Sequence, residues 1–259
     1  MAAAEKLKTE DRRNQIIDII AHKARIKVAD LSKHFDTSEV TIRNDLTELE
    51  NMGLLERIHG GAVSAYKAYY NMSLQERIKT NEQEKRRIAA EVSRLISDGD
   101  TLMLNSGTTT LLAIQEFRKI KNLTIVTNSI PITQETINYR NLQVILLGGN
   151  FDSHNQFTYG DDTINQLSRY RADKLILSVD GISLNDGITT FFHLEAEVNR
   201  QMASRVNKII VVGDHTKIGR TSFSHIKSID GIDILISDKK ADQKELSQIS
   251  KKNIEIRLV

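Results

Sequence analysis

From Thr9 to about Ala62 the apolar positions recur at helical spacing: Ile16, Ile17 and Ile20, then Leu31 and Phe35, then Ile42, Leu46 and Leu49. Thr9 before Glu10-Asp11 predicts an N-cap followed by an acidic first turn. Asp36-Thr37-Ser38 predicts a turn, with Ser38 capping a helix that runs from Ser38 to Met52 and stops at Gly53. Residues 54–63 then alternate as a strand pair turning on Gly60-Gly61. Over 64–81 the period is lost, which reads as a linker. A new helix from Glu82, with Ile88, Val92 and Leu95-Ile96 on one face, ends at Asp98-Gly99-Asp100. Beyond it, short apolar runs (TLMLN, LTIVT, QVILL, KLILSVD, KIIVVG, IDILISD and IEIRLV) are separated by helix-like stretches of crossover length. That rhythm predicts a mostly parallel sheet with helices on both faces. The expected domains are 1–63, a linker 64–81, and an α/β domain over 82–259.

No apolar run approaches the roughly 18 residues that span a bilayer, and the start, MAAAEKLKTEDRRNQ, is charged where a signal peptide is apolar. A cytoplasmic protein without membrane contact is the expectation. The absence of cysteine excludes disulfides, thiolate nucleophiles and cysteine-ligated metals. The net charge of +2, with 10 Lys/Arg against 11 Asp/Glu over residues 1–61, leaves no bulk basic footprint. A nucleic-acid reading of that segment has to rest on local geometry.

Helix, helix, turn, helix and β-ribbon is the layout of a winged helix-turn-helix, in which the helix after the turn enters the major groove. With Ile42, Leu46 and Leu49 turned inward, Thr37, Ser38, Glu39, Thr41, Arg43 and Asn44 are left for solvent. Arg pairs with guanine and Asn with adenine, and hydroxyls bond phosphates. Arg57 and His59 on the ribbon would reach backbone or minor groove. The same spacing fits a three-helix bundle with a solvated polar face. Asp45, beside Arg43, suits a structural ion pair or cap better than a base contact.

In the second region, Asn105-Ser106-Gly107-Thr108-Thr109-Thr110 follows a strand and opens a helix. Free N–H groups at such a start, and a glycine that lets backbone approach, suit an anion; a capped helix with spare threonines fits as well. Thr127-Asn128-Ser129 repeats the arrangement, with Pro131, the single proline, in the first turn. Further strand ends carry Gly148-Gly149, Asp180-Gly181 and Asp214-His215-Thr216-Lys217. Open α/β sheets hold ligands at such carboxyl ends. Phosphate donors, a carboxylate and a lysine together describe a phosphorylated polyol. The polar stretch 150–160, with His154 and Asn155, reads either as a lid or as a plain surface loop. His193 and His215 lack metal-ligand spacing, so neither metal nor cofactor is expected.

The stretch RRNQIIDII followed by SEVTIRNDLTELENMGLLERIHGG resembles the signature of the DeoR family of bacterial transcription regulators. Ser38, Thr41, Ile42, Arg43, Asp45, Leu46, Leu49, Gly53, Arg57, His59, Gly60 and Gly61 fall on it in register, and Met52 departs from it. LNSGTTT, IVTNS, LLGG, VDGISLNDGITT, EAEVNRQM and DHTKIGR are similar to the family's effector domain, so the resemblance covers essentially the whole chain. It implies a winged helix-turn-helix followed by an α/β domain related in fold to ribose-5-phosphate isomerase. It also implies double-stranded operator DNA as partner, a phosphorylated sugar or amino sugar as releasing effector, and a homo-oligomeric repressor of a carbohydrate catabolic operon. On that basis Arg43 and Asn44 would touch DNA. Ser106, Gly107, Thr108, Thr109 and Thr110 would hold phosphate, with Thr127, Asn128, Ser129 and Gly149 on neighbouring strand ends, while Asp180, Glu195 and Lys217 line the sugar. The alternative is an active sugar-phosphate isomerase fused to a DNA-binding module. The isomerases carry an Asp-Gly-Ala-Asp run followed by a lysine; here Asp180-Gly181-Ile182-Ser183 has serine for the second aspartate and Asn185-Asp186-Gly187-Ile188 no lysine, so turnover is not expected.

Overall fold

The computed structural model describes residues 9–23, 25–51, 55–64 and 72–259. Met52 and the expected helix stop at Gly53 lie outside them. The chain divides into two compact units, Met1–Ser73 and Leu74–Val259.

The first unit contains α1 (Thr9–Lys23), β1 (Arg25–Lys27), α2 (Val28–His34), α3 (Glu39–Asn51), β2 (Leu55–Ile58) and β3 (Gly61–Ser64). The ribbon expected from alternation is present as antiparallel β2 and β3, and β1 adds a third strand on the other side of β3. Ile16, Ile20, Leu31, Ile42, Leu46 and Leu49 form the core with Ile26, Val28, Leu55 and Ala62. Ser38 caps α3 by accepting the Thr41 N–H at 3.1 Å.

In the second unit, α4 (Leu74–Lys79) falls inside the span read as a linker, and α5 (Glu82–Ser93) follows. Each apolar run becomes a strand of one parallel sheet: β4 (Thr101–Leu104), β5 (Leu123–Thr127), β6 (Leu142–Leu146), β9 (Ala172–Ser178), β12 (Val206–Val212), β14 (Ile234–Ser237) and β15 (Glu255–Leu258). Their order is β15-β14-β12-β9-β4-β5-β6, parallel at every junction.

Successive side chains of a strand point to opposite faces. Leu102, Leu104, Ile176, Ile210 and Ile236 are therefore buried under α4, α5, α6 (Thr108–Glu116) and α7 (Ile130–Glu135). Met103, Leu175, Leu177, Val211 and Leu235 are buried under α8 (Asp161–Leu167), α9 (His193–Ala203) and α10 (Gln243–Ile249). Burial on both faces is why these strands read as continuous apolar runs. Two small antiparallel sheets flank the main one. One is the hairpin of β7 (Asn150–Asp152) with β8 (Phe157–Tyr159); the other joins β10 (Gly181–Ser183), β11 (Gly187–Thr190) and β13 (Ser224–Lys227). No helix among the described residues is long and apolar enough to cross a membrane.

Candidate functional site

On the helix-turn-helix unit, Asp45 is 2% exposed and accepts from Arg12 Nε at 2.6 Å and Arg13 Nε at 3.0 Å. It is a structural anchor tying α3 to α1. The outward stripe of α3 holds Glu39, Val40, Arg43 and Asn44, all exposed, with Thr41 and Thr47 half-buried. Arg43 meets Glu39 at 3.0 Å across one turn, an exposed pair that costs little to exchange for another acceptor. Arg57 lies along α3, donating through Nη1 to Thr47 Oγ1 at 2.6 Å and through its backbone N–H to Glu50 Oε1 at 2.8 Å. His59 and Ser38 are exposed and Thr37 is half-buried.

In the α/β unit, the carboxyl ends of five adjacent strands, β12, β9, β4, β5 and β6, carry the residues singled out above. Asn105 joins two of those ends, accepting the Ser178 N–H at 2.9 Å and donating to the Ser178 carbonyl at 2.8 Å. Gly107 starts α6 without a side-chain cap, and no acidic residue lies in the first turn. A Cβ there would stand 2.5 Å from Ser178 Cβ, so only glycine lets the loop cross β9. Ser106 is half-buried and the three threonines are buried. The Thr110 hydroxyl is committed to the Asn105 and Gly107 carbonyls at 2.9 Å each. Those of Thr108 and Thr109 bond no described residue.

The next strand end is more structural. Thr127 Oγ1 donates to the Leu104 carbonyl at 2.7 Å, and Ser129 Oγ caps α7 by accepting the Ile132 N–H. Asn128 is fully buried; its Nδ2 donates to the Thr158 carbonyl at 2.9 Å while its Oδ1 has no partner. Gly149, at φ +140°, fits because a Cβ would clash with Thr163 Oγ1 and the Tyr159 carbonyl, which makes it a packing position. The 150–160 stretch is a hairpin pinned to the sheet by backbone bonds from Thr158 to Asn128 and from Ile130 to Gln156.

The carboxyl end of β9 is acidic. Thr190 Oγ1 lies 2.7 Å from Asp180 Oδ2 and 3.1 Å from Glu195 Oε2. Thr190 is the donor to both, and one hydroxyl proton cannot fully serve two carboxylates, so the two acids lie close together and short of donors. The Glu195 carboxyl is accordingly pushed up to about 8, by burial first and then by the charge of Asp180, with Asp152 adding; the Thr190 bond and Arg77 oppose the rise. Asp214 moves the other way. Burial would raise it, but Lys217, the Thr216 bond and Lys85 together hold it below the ordinary range. Lys217 is thus already the neighbour of a carboxylate. The His215 ring bonds Asp238 at 3.0 Å, and His193 is exposed on α9. Among the described residues no group of three or more His, Asp or Glu is arranged to hold a metal.

Residue-type reasoning did not find Arg77 or Lys85. Arg77 Nη2 donates to Asn155 Oδ1 at 2.9 Å, and Asn155 in turn donates to Asp152 from its backbone N–H at 2.7 Å. Lys85, 1% exposed, donates from Nζ to the Arg77 carbonyl at 2.6 Å. Arg77 lies in the span read as a linker, and Lys85 lies on a helix that the pattern does show, with nothing in its residue type to mark it as buried.

Two family models match this chain: the DeoR-like helix-turn-helix domain over residues 12–68 and the DeoR C terminal sensor domain over residues 80–239. The chain belongs to the DeoR family. Among DeoR-type relatives, the HTH-type transcriptional regulator GolR of Listeria innocua is 33% identical over 90% of this chain and 92% of its own. The HTH-type transcriptional repressor GlcR of Bacillus subtilis is 30% identical over 95% of each chain. The glycerol-3-phosphate regulon repressor of Escherichia coli K12 is 31% identical over 90% of this chain and 92% of its own. Ribose 5-phosphate isomerase from Plasmodium falciparum superposes with a TM-score of 0.39 and 16% identity, covering 54% of this chain and 52% of that one. The DeoR relatives are regulators and repressors, so this chain is a DNA-binding transcriptional regulator and not an enzyme.

Proposed function

We propose that the protein represses a carbohydrate-related operon, binding double-stranded operator DNA as a homo-oligomer, and that a phosphorylated sugar or amino sugar releases it. The observation that carries the effector reading is the uncapped start of α6 at Gly107, with no acid in its first turn, beside strand ends that carry Asp180, bridged through Thr190 to Glu195 of α9, and the unpaired Asn128 Oδ1. Backbone N–H groups at a helix start favour an anion. The Thr108 and Thr109 hydroxyls supply further donors. Asp180, Glu195 and Asn128 suit hydroxyl or amino groups of the sugar. The name of the Escherichia coli glycerol-3-phosphate regulon repressor fits the same chemistry. On the DNA side, Arg43 and Asn44 read bases, Thr37, Ser38 and Thr41 contact phosphates, and His59 reaches from the ribbon. Two-fold operators suit a protein with one recognition helix per chain.

A thermal-shift panel of sugar phosphates, each beside its unphosphorylated parent, tests the effector half. A ligand at 100 times its Kd stabilises by about 2.7 kcal/mol. The expected result is a shift with one phosphorylated sugar and none with its parent, and release of operator DNA by that compound. A panel without any shift rejects the sugar-phosphate reading and leaves the DNA-binding module untouched.

A further inference from the structure

Val40 is 68% exposed in the first turn of α3, between Glu39 and the capped Thr41. The unit's core is completed by Ile42, Leu46 and Leu49 on the other face of the same helix, so Val40 adds nothing to it. Its neighbours at helical spacing are Arg43, Asn44 and Thr47, which form one outward stripe. An apolar, β-branched residue thus heads a row of polar ones on the face that the helix-turn-helix presents to the major groove.

We propose that Val40 reads the C5-methyl group of a thymine and is a specificity-determining residue of the operator contact. Valine offers neither donor nor acceptor, and the thymine methyl is the apolar feature that base edges display in the major groove. Two properties make the contact selective. Valine in a helix has one strongly preferred χ1, so its methyls are held in place before binding. The Ser38 cap bonds the Thr41 N–H and meets the Thr41 hydroxyl at 2.9 Å, which fixes the turn that carries Val40. The Glu39–Arg43 pair spans the same turn, leaving the valine side chain uncovered. The inference rests on the DNA-binding module alone and is independent of the effector.

The test uses the full chain. Operator sequences are selected from random duplex DNA at fixed salt, and each thymine of the selected site is replaced in turn by deoxyuridine, which removes the methyl and nothing else. For the native protein, one thymine in each half-site is expected to lose about fourfold in affinity on that replacement, the size of one buried methyl group. Val40→Ala should bind the thymine operator as weakly as the native protein binds the uridine one, with no further loss when both changes are combined. Arg43→Ala should weaken binding overall and keep the dependence on that methyl. The proposal is overturned if no thymine responds, if Val40→Ala retains the full methyl effect, or if selection enriches no sequence. Because Val40 is exposed, an unchanged melting curve of Val40→Ala separates loss of contact from loss of fold.

Discussion

Glu195 shows how one residue converts surroundings into a measurable property. Its ordinary value is 4.5, and burial beside Asp180 lifts it to about 8 in the folded protein. The folded state therefore binds a proton that the unfolded state releases at lower pH. Stability from this group is fully present below about pH 4.5, is lost as pH rises toward about 8, and is flat above. Glu195→Gln keeps the shape and removes the titration. Urea melts at pH 5, 7 and 9 should show the native protein losing ground to the glutamine variant as pH rises. Parallel curves for the two proteins would mean that Glu195 is ionised throughout, and the raised value would be wrong. The type of residue was visible in the sequence; its protonation state was not, because that depends on Asp180, Asp152 and Arg77 meeting from distant parts of the chain.

At the scale of elements, the buried contact between α1 and α3 decides whether the reading head exists. Arg12 and Asp45 are 8% and 2% exposed, so each charge is out of water and depends on the other. Removing one member of a buried pair strands its partner, at a cost of about 3 kcal/mol. Asp45→Ala is expected to lower the melting midpoint of the first unit and abolish operator binding. The effector-induced shift of the second unit should persist, a separation that two-wavelength or domain-resolved melting can read. Elements also differ in how far the sequence announces them. Every strand of the parallel sheet was legible: burial on both faces makes the inner strands β4, β9, β12 and β14 apolar runs, and the half-exposed edge strands β6 and β15 keep enough apolar residues to show. The strands β1, β7 and β10 were not, since three residues are too few to alternate. Likewise α4, six residues long, is too short for a helical period to stand out. That is how Arg77 came to be overlooked: it sits on an element that the pattern assigns to a linker and finds its partners, Asn155 and the field of Glu195, only through the fold.

For the whole molecule, the proposal requires that two sites on separate compact units share one free energy. If the effector weakens operator binding by some factor, operator DNA must weaken effector binding by the same factor, typically between about 5 and 150. Arg43→Ala removes the guanidinium proposed to read bases from the exposed stripe of α3 without touching the core. It should lower operator affinity at least tenfold while the Kd for the sugar phosphate stays at the native value, as read by calorimetry without DNA. Thr109→Arg puts a long side chain where Thr109 is 2% exposed at the start of α6. Effector binding should fall, and the variant should hold its operator at effector concentrations that release the native protein. A ligand with equal affinity for the DNA-competent and DNA-incompetent states shifts nothing, however tightly it binds. Measuring both factors on the native chain is therefore the decisive experiment. Equal factors establish a single linkage between the units. Tight effector binding with a factor of one would leave a sugar-phosphate site on a regulator that something else controls.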